Sequence, residues 1–281
     1  MNSEGLFKPF LKWAGGKNWL IRYLPTIVGD LEFKCYHEPF LGGASVFFFL
    51  NPNKAFLSDS NVDLIDTYKA VRSDVELVIS QIKSWPINET TYYEIRSLKA
   101  EDRHIRAARF IYLNRLSFNG IYRVNRSGEY NVPYGHRDNY QFDFDRIRKA
   151  SEALANASIT AGSYQSSLEK VKRNDLVFLD PPYTVAHNNN GFIAYNKKLF
   201  SIDDQFNLRK YIEAIRSRGA YFILTNAAHD TIRDIFEGCG SKIELSRFSG
   251  LGGKKAERRI IEECIFTNVP EADERLSKLA L

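Results

Sequence analysis

Asp180-Pro181-Pro182-Tyr183 is the stretch of this chain whose residue types add up most directly to chemistry. It follows Leu176-Val177-Phe178-Leu179, an uninterrupted apolar run of the kind that forms a buried strand. In an open α/β sheet, ligands bind beyond the carboxyl ends of the strands. The two prolines hold φ at about −65° and remove two amide donors. What remains at the strand end is a carboxylate, prolyl carbonyl oxygens and an aromatic ring. The carboxylate and the carbonyls only accept hydrogen bonds, so this rim suits a planar molecule with an exocyclic amino group. Taken alone, the same four residues could also be a rigid turn that closes a strand.

Two other places could meet a ligand. Phe40-Leu41-Gly42-Gly43-Ala44 is a glycine turn without the GxGxxG spacing of dinucleotide sites. Its glycines either let a ligand approach the backbone closely or serve the turn alone. Asp59 ends a second apolar run, 54–59. An acidic residue there can accept ribose hydroxyls, or it can cap the helix that starts near Asn61. Gly15-Gly16-Lys17 is not a phosphate-binding P-loop, because Leu11 and Asn18 stand where Gly and Ser/Thr are required. Cys35, Cys239 and Cys264 form no CxxC pair, and the five histidines show no HExxH spacing. Reduced, packed thiols and no metal are expected.

The net charge is +5, and its distribution says more than its sum. Between positions 103 and 126 there are six arginines (Arg103, Arg106, Arg109, Arg115, Arg123, Arg126), His104, and no Asp or Glu. Such a run is either a solvated face or a nucleic-acid contact. Arginine favours the second, since a guanidinium matches phosphate oxygens and the guanine edge with two hydrogen bonds.

These groups need a frame to hold them. The chain has 281 residues, 44% hydrophobic and 26% charged, which is ordinary for a soluble globular protein and excludes coiled-coil, collagen-like and disordered chains. Apolar runs such as Val46 to Leu50 are far shorter than the roughly 20 residues of a membrane helix. Lys8, Lys12 and Lys17 interrupt the first twenty positions, where an export signal would have an apolar core. A cytoplasmic protein without a membrane segment is expected. The patterns predict a helix over 18–24 stopped by Pro25, a strand over 35–40 and a helix capped by Ser45. A strand over 54–59 and a long helix over 62–83 follow. Helices are predicted over 91–99 and 103–116. Ile121–Asn125 and Glu129–Val132 read as a β-hairpin around Arg126-Ser127-Gly128. Alternation resumes with strands at 157–164, 175–180 and 221–226, helices near 166–172, 203–218 and 228–236, and final strands at 241–248 and 260–268. The result is an α/β sheet domain (1–85 and 157–270) interrupted by a basic helical and hairpin domain (86–156), with a frayed tail over 271–281.

The sequence resembles the Dam-type DNA adenine-N6 methyltransferases, the α-class D12 family acting on GATC. The resemblance runs from about residue 8 to 268. It is carried by Lys12-Trp13-Ala14-Gly15-Gly16-Lys17, Glu38-Pro39-Phe40-Leu41-Gly42-Gly43-Ala44, Asp59, Phe118-Asn119-Gly120-Ile121-Tyr122-Arg123-Val124-Asn125, Asn131-Val132-Pro133-Tyr134-Gly135 and Asp180-Pro181-Pro182-Tyr183, in the family's order.

The resemblance implies a class I, Rossmann-like, S-adenosylmethionine-dependent sheet domain with an inserted target-recognition domain. It implies methyl transfer to N6 of a flipped-out adenine in duplex DNA. Asp180, Pro181, Pro182 and Tyr183 would be catalytic. Asp180 and the Pro181 carbonyl would accept the two N6–H bonds, freeing the nitrogen lone pair, and Tyr183 would stack on the base. The cofactor set would be Trp13, Ala14, Gly15, Lys17, Glu38, Pro39, Phe40, Gly42, Gly43, Ala44, Ser45, Asp59, Ser163, Tyr164 and Asp180. Ser163 departs from the Asp that the family often shows before the aromatic. The DNA set would be Lys12, Arg115, Phe118, Asn119, Gly120, Ile121, Arg123, Asn125, Arg126 and Pro133. Within it, Arg123 and Lys12 would read guanine, Phe118 would wedge beside the flipped base, and Ile121 and Pro133 would touch thymine methyls. The family's wedge is often Tyr. Read without the resemblance, Phe118 and Ile121 are core residues. Segment 184–200, with Asn188, Asn189, Asn190, Phe192 and Tyr195, reads as a lid or as an ordinary surface loop. The implied partners are double-stranded DNA and a cognate restriction endonuclease acting on the same sites, with the enzyme itself a monomer.

Two rivals share parts of this pattern. One is a methylase of another amino group, on RNA guanine, cytosine N4 or a protein glutamine. The inserted FNGxYRxN and NVPYG motifs oppose it. The other is a non-catalytic DNA-binding relative, opposed by the intact Asp180, Asp59 and Lys17.

Overall fold

The computed structural model describes residues 8–183, 200–248 and 260–278. In chain order its elements are helix α1 (Leu24–Val28), strand β1 (Tyr36–Glu38), α2 (Ser45–Leu50), β2 (Ala55–Asp59), α3 (Val62–Lys83), α4 (Glu89–Ser97), α5 (Arg103–Leu116), α6 (Phe144–Leu154), β3 (Ala157–Ala161), α7 (Tyr164–Ser167), β4 (Leu176–Leu179), α8 (Ile202–Ser217), β5 (Tyr221–Ala227), α9 (Asp230–Phe236), β6 (Ser241–Phe248), β7 (Ile260–Thr267) and α10 (Ala272–Ser277). Seven strands with interleaved helices make a mixed α/β, Rossmann-like fold of the class I methyltransferase kind. No helix among the described residues is long and apolar enough to cross a membrane.

The chain forms two compact units, residues 1–18 with 41–163, and residues 19–40 with 164–281. In the second unit the strand order is β1-β4-β5-β7-β6. β1, β4 and β5 run parallel, and β7 is antiparallel to both β5 and β6. All four residues of β4 are buried. A central parallel strand covered on both faces must be apolar throughout, which is why LVFL does not alternate. Val177, Leu179, Leu208, Ile212, Phe222, Leu224, Phe236 and Phe266 share one core. Each such fully buried side chain contributes about 1.5–3 kcal/mol. α8 starts at a capping box, with Asp204 N donating to Ser201 Oγ and Ser201 N to Asp204 Oδ2.

In the first unit β2 and β3 pair in parallel, Ala55 opposite Ala157 through Asp59 opposite Ala161. α3 begins at Asn61, whose side chain accepts the Leu64 amide, and buries Leu64, Ile65, Tyr68, Val71, Val78 and Ile82. A separate aromatic cluster of Tyr92, Tyr112 and Tyr134 with Ile95, Leu113 and Leu116 lies in the stretch expected to be an insertion.

Several local expectations need correction. Residues 18–23 do not form the expected helix. The helix is α1, with Pro25 inside its first turn, where a missing amide proton costs nothing. The cap position of α2 is Ala44 at φ 57°, and Ser45 is the first helical residue. α6 was not anticipated, although Asp143 caps it through the Arg146 amide and Ile147, Ala150 and Leu154 are buried at helical spacing. The expected hairpin is reduced to one antiparallel bridge, Val124 opposite Tyr130. The tail is not frayed throughout. In α10, Ala272 and Leu276 are buried and Arg275 donates to the Thr26 and Ile27 carbonyls. The expected lid residues 184–199 and the loop over 250–259 lie outside the described residues.

Candidate active site and recognition segment

Asp180 is the first residue past β4, and two neighbouring strands of the second unit reach its motif. Thr225, buried on β5, donates its hydroxyl to Asp180 Oδ1 at 3.0 Å, with the Leu179 carbonyl next at 3.4 Å. A hydroxyl has one proton, so the shorter, charge-assisted bond takes it. Tyr183 donates its phenol to Glu263 Oε2 at 2.5 Å. Glu263 lies on β7 and is 0% exposed. Pro181 is buried, while Asp180, Pro182 and Tyr183 are half-buried. The tetrapeptide is thus tied at both ends. Thr225 and Glu263 escaped the sequence reading. The one visible signal was an acid pair, Glu262-Glu263, inside an apolar strand run.

An aromatic wall stands in the same unit. The rings of Phe40 and Tyr164 stack at 5.1 Å and 29°, with Phe200 edge-on to Phe40 and Tyr211 edge-on to Tyr164. The Tyr164 hydroxyl is buried without a hydrogen-bond partner among the described residues. Burial, with Asp204 adding to it, pushes that phenol up to about 12. An orphaned hydroxyl beside stacked rings fits a heteroaromatic ligand that brings its own acceptor or donor. Glu38 is buried on β1 and accepts the Tyr36 phenol at 2.8 Å. Burial and the Glu38 carboxylate hold Tyr36 well above the ordinary tyrosine range. A buried carboxylate suits a cationic ligand group.

The first unit holds the glycine turn. Asp59 accepts the Gly42 amide at 3.0 Å on one oxygen and the Asn61 amide at 2.9 Å on the other. Burial raises its carboxyl above the ordinary carboxylate range, and those amides pull it back down. The helix cap itself is Asn61, so the capping role weighed for Asp59 falls to its neighbour. With the Ser60 amide also donating to it, the carboxylate takes three amides and, with about four acceptor positions, has room for a ribose hydroxyl. Gly42 sits at φ +46°, and a Cβ there would stand 2.8 Å from Trp13 Cδ1. The protein's own indole therefore requires these glycines, independently of any ligand. Trp13 stacks in turn on Tyr122 at 5.5 Å and 24°. Lys17 is buried and donates to the Gly15 carbonyl at 2.8 Å. Ala14, Gly15 and Ser163 are exposed, and Ala44 and Ser45 are buried.

The recognition segment is an irregular loop held by asparagine side chains. Asn114, 1% exposed, clamps both peptide groups of Lys12. Its Oδ1 accepts from Lys12 N at 2.8 Å, and its Nδ2 donates to Lys12 O at 2.7 Å. Burial, then Arg137 and Arg115, lowers the pKa of the Lys12 ammonium group. Gly120, at φ +63°, leaves room for the Lys12 side chain. Asn131 accepts from Arg123 Nε at 2.8 Å through its side chain and from Nη2 at 3.2 Å through its carbonyl. Asn125 Oδ1 accepts the amides of Ser127 and Glu129, which shapes the turn around Gly128. Phe118 is 53% exposed, which excludes the core reading, whereas Ile121 is half-buried. Asn119, at φ +56°, Arg126 and Pro133 are exposed.

The arginine run divides in two. On α5, Arg103 pairs with Asp74, Arg106 with Asp66, Arg109 with backbone carbonyls and Arg115 with Tyr140. Arg123 and Arg126 stand exposed beyond the helix. No group of His, Cys, Asp or Glu that could hold a metal occurs among the described residues.

The profile of the D12 class N6 adenine-specific DNA methyltransferases matches residues 13–248. The chain is 34% identical to type II methyltransferase M.MjaIII of Methanocaldococcus jannaschii, over 92% of this chain and 98% of that protein. It is 32% identical to type II methyltransferase M1.LlaDCHI of Lactococcus lactis subsp. cremoris, over 93% and 95%. It is also 32% identical to the DNA adenine methylase of Escherichia coli K12, over 80% and 82%.

Proposed function

This chain belongs to the D12 class of N6 adenine-specific DNA methyltransferases, and we propose that it moves a methyl group from S-adenosylmethionine to N6 of a flipped-out adenine within GATC. The observation that carries this reading is the Asp180 carboxylate, held by the Thr225 hydroxyl at the end of a buried strand and followed by the Pro181 carbonyl. The adenine amino lone pair is delocalised into the ring, which makes N6 a poor nucleophile. Asp180 and the Pro181 carbonyl accept its two N–H bonds and favour a pyramidal nitrogen. These hydrogen bonds strengthen as positive charge grows on N6, so they lower the barrier more than they stabilise bound substrate. Tyr183 offers its ring face to the base.

Bound S-adenosylmethionine supplies the electrophilic methyl. Phe40 and Tyr164 suit its adenine, Glu38 its positive charge, and Asp59 its ribose hydroxyls, while Trp13 and Lys17 complete the set by resemblance. On the DNA side, Arg123 and Lys12 read guanine edges, Phe118 fills the stack beside the extruded base, and Asn119, Gly120, Ile121, Asn125, Arg126, Arg115 and Pro133 complete the contact. Two relatives bear the name type II methyltransferase, and a modification role beside a restriction endonuclease of the same specificity is the proposed setting. One chain in the cytoplasm, acting alone on the duplex, is the proposed working unit.

Labelled methyl transfer to duplexes that differ only in whether GATC is present, with N6-methyladenine scored in the product, tests this reading. Methylation confined to the GATC duplex supports it. Equal methylation of both removes the target assignment, and no transfer to adenine removes the activity.

A further inference from the structure

We propose that Glu263 is a positioning residue for methyl transfer, fixing the Tyr183 ring, and with it the catalytic strand end, through the phenol hydrogen bond. The inference rests on the activity proposed above. Glu263 sits mid-strand on β7, opposite Ala227 of β5 and Leu245 of β6, and is fully buried. Its neighbours along the strand, Cys264, Ile265 and Phe266, are buried and apolar. A carboxylate at such a position is costly unless it is well hydrogen-bonded, and packing alone would be met by leucine. An acid there serves its hydrogen-bond partners, and one of them is the Tyr183 phenol, which donates to it at 2.5 Å.

A tyrosine ring swings about χ1 and turns about χ2; anchoring Oη, which lies on the χ2 axis, stops the swing and fixes where the ring sits. The half-buried ring then keeps one position before any base arrives. Thr225, which holds Asp180, faces Ile265 across the β5–β7 ladder, two residues along from Glu263. One hydrogen-bonded strand pair thus carries both anchors of the tetrapeptide. Preorganisation of this kind matters at small distances, since a misplacement of about 1 Å can cost on the order of 100-fold in rate.

The test compares Glu263→Leu, Glu263→Gln, Tyr183→Phe and the double variant Tyr183→Phe/Glu263→Leu. Single-turnover methyl transfer and KM for DNA are measured, together with thermal unfolding and the fluorescence of 2-aminopurine at the target position. Glu263→Leu and Tyr183→Phe should each lose on the order of 10- to 100-fold in rate at nearly unchanged KM. The double variant should lose no more than either single one. Glu263→Gln keeps an acceptor and should stay within about 3-fold of the original protein. Flipped 2-aminopurine should be brighter in Tyr183→Phe, because a loosened ring quenches it less. If Glu263→Leu does not fold, the glutamine and phenylalanine variants carry the same comparison. The proposal is overturned by an unchanged rate in Tyr183→Phe, by multiplicative losses in the double variant, or by a glutamine variant as slow as Tyr183→Phe. An original protein that methylates no adenine overturns the activity itself. Normal methylation with indifferent Glu263 and Tyr183 variants overturns this inference alone.

Discussion

The strand end at 180–183 and the loop at 117–135 both touch DNA in the proposed function, yet they are held in opposite ways. The strand end is anchored by fully buried side chains on neighbouring strands, Thr225 and Glu263. The loop has almost no strand structure, and Phe118, Asn119, Arg123, Asn125, Arg126 and Pro133 stand exposed on it. Asparagine amides at 114, 125 and 131 give it shape. The difference follows from what each must do. A reacting carboxylate gains from a fixed place on a rigid element. A sequence reader must present side chains outward from a surface loop, where backbone groups would otherwise depend on water. Neutral amides suit that task, because they donate and accept at once and bring no charge to compete with phosphates.

The sharpest break of the comparison comes from removing the reacting group. Asp180→Ala should raise the barrier by about 3–4 kcal/mol, by analogy with a lost oxyanion-hole group, while duplex affinity stays within a few-fold. Single-turnover rates and gel-shift titrations separate the two, and a variant that methylates normally ends the assignment of Asp180. The loop should respond in the converse manner. Arg123→Ala should cost about 1–3 kcal/mol at one guanine and relax discrimination there. Competition among singly altered duplexes reads this directly. Uniform weakening on all sequences would make Arg123 a phosphate contact. Asn131→Ala should reproduce the same relaxation to a smaller degree, because it frees Arg123 without deleting it. Asn114→Ala tests the clamp rather than the reader. It leaves both Lys12 peptide groups without partners, so a stability loss of about 1–3 kcal/mol is expected in urea unfolding, with weaker DNA binding as its companion.

The same contrast explains what could be read in advance. α5 follows its apolar spacing to the residue, α3 keeps the expected ends but kinks at Asp74, and β6 and β7 were visible because their composition and length are local properties. Asp180-Pro181-Pro182-Tyr183 stood out because its chemistry is contiguous. Thr225 and Glu263 lie 45 and 80 positions from their partners, and no spacing rule reaches that far. Pro25 misled because proline both ends helices and begins them, and the context that chooses is tertiary. The arginine run looked uniform in sequence, but only the fold shows that the arginines of α5 meet Asp74, Asp66 and backbone carbonyls while Arg123 is held by Asn131.

The smallest expected effect concerns pH, and it divides the two regions again. Amide clamps do not titrate, so the loop's framework should be indifferent between pH 5 and 8. At the opposite end of β4 from Asp180, His37 of β1 meets Asp175 at 2.9 Å, and both are buried. Burial lowers the His37 pKa, and Asp175 only partly restores it. A histidine whose folded pKa is depressed binds its proton more readily when unfolded. Its stabilising contribution is therefore complete above the ordinary histidine range, near about 6.5, and is lost as pH falls through that range toward the folded value. The urea midpoint should drop modestly from pH 7.5 to 5.5, and His37→Gln should flatten that drop. A midpoint that rises on acidification would mean that the Asp175 carboxylate outweighs burial and the imidazole is charged in the folded protein. The start of β4 would then rest on an ion pair.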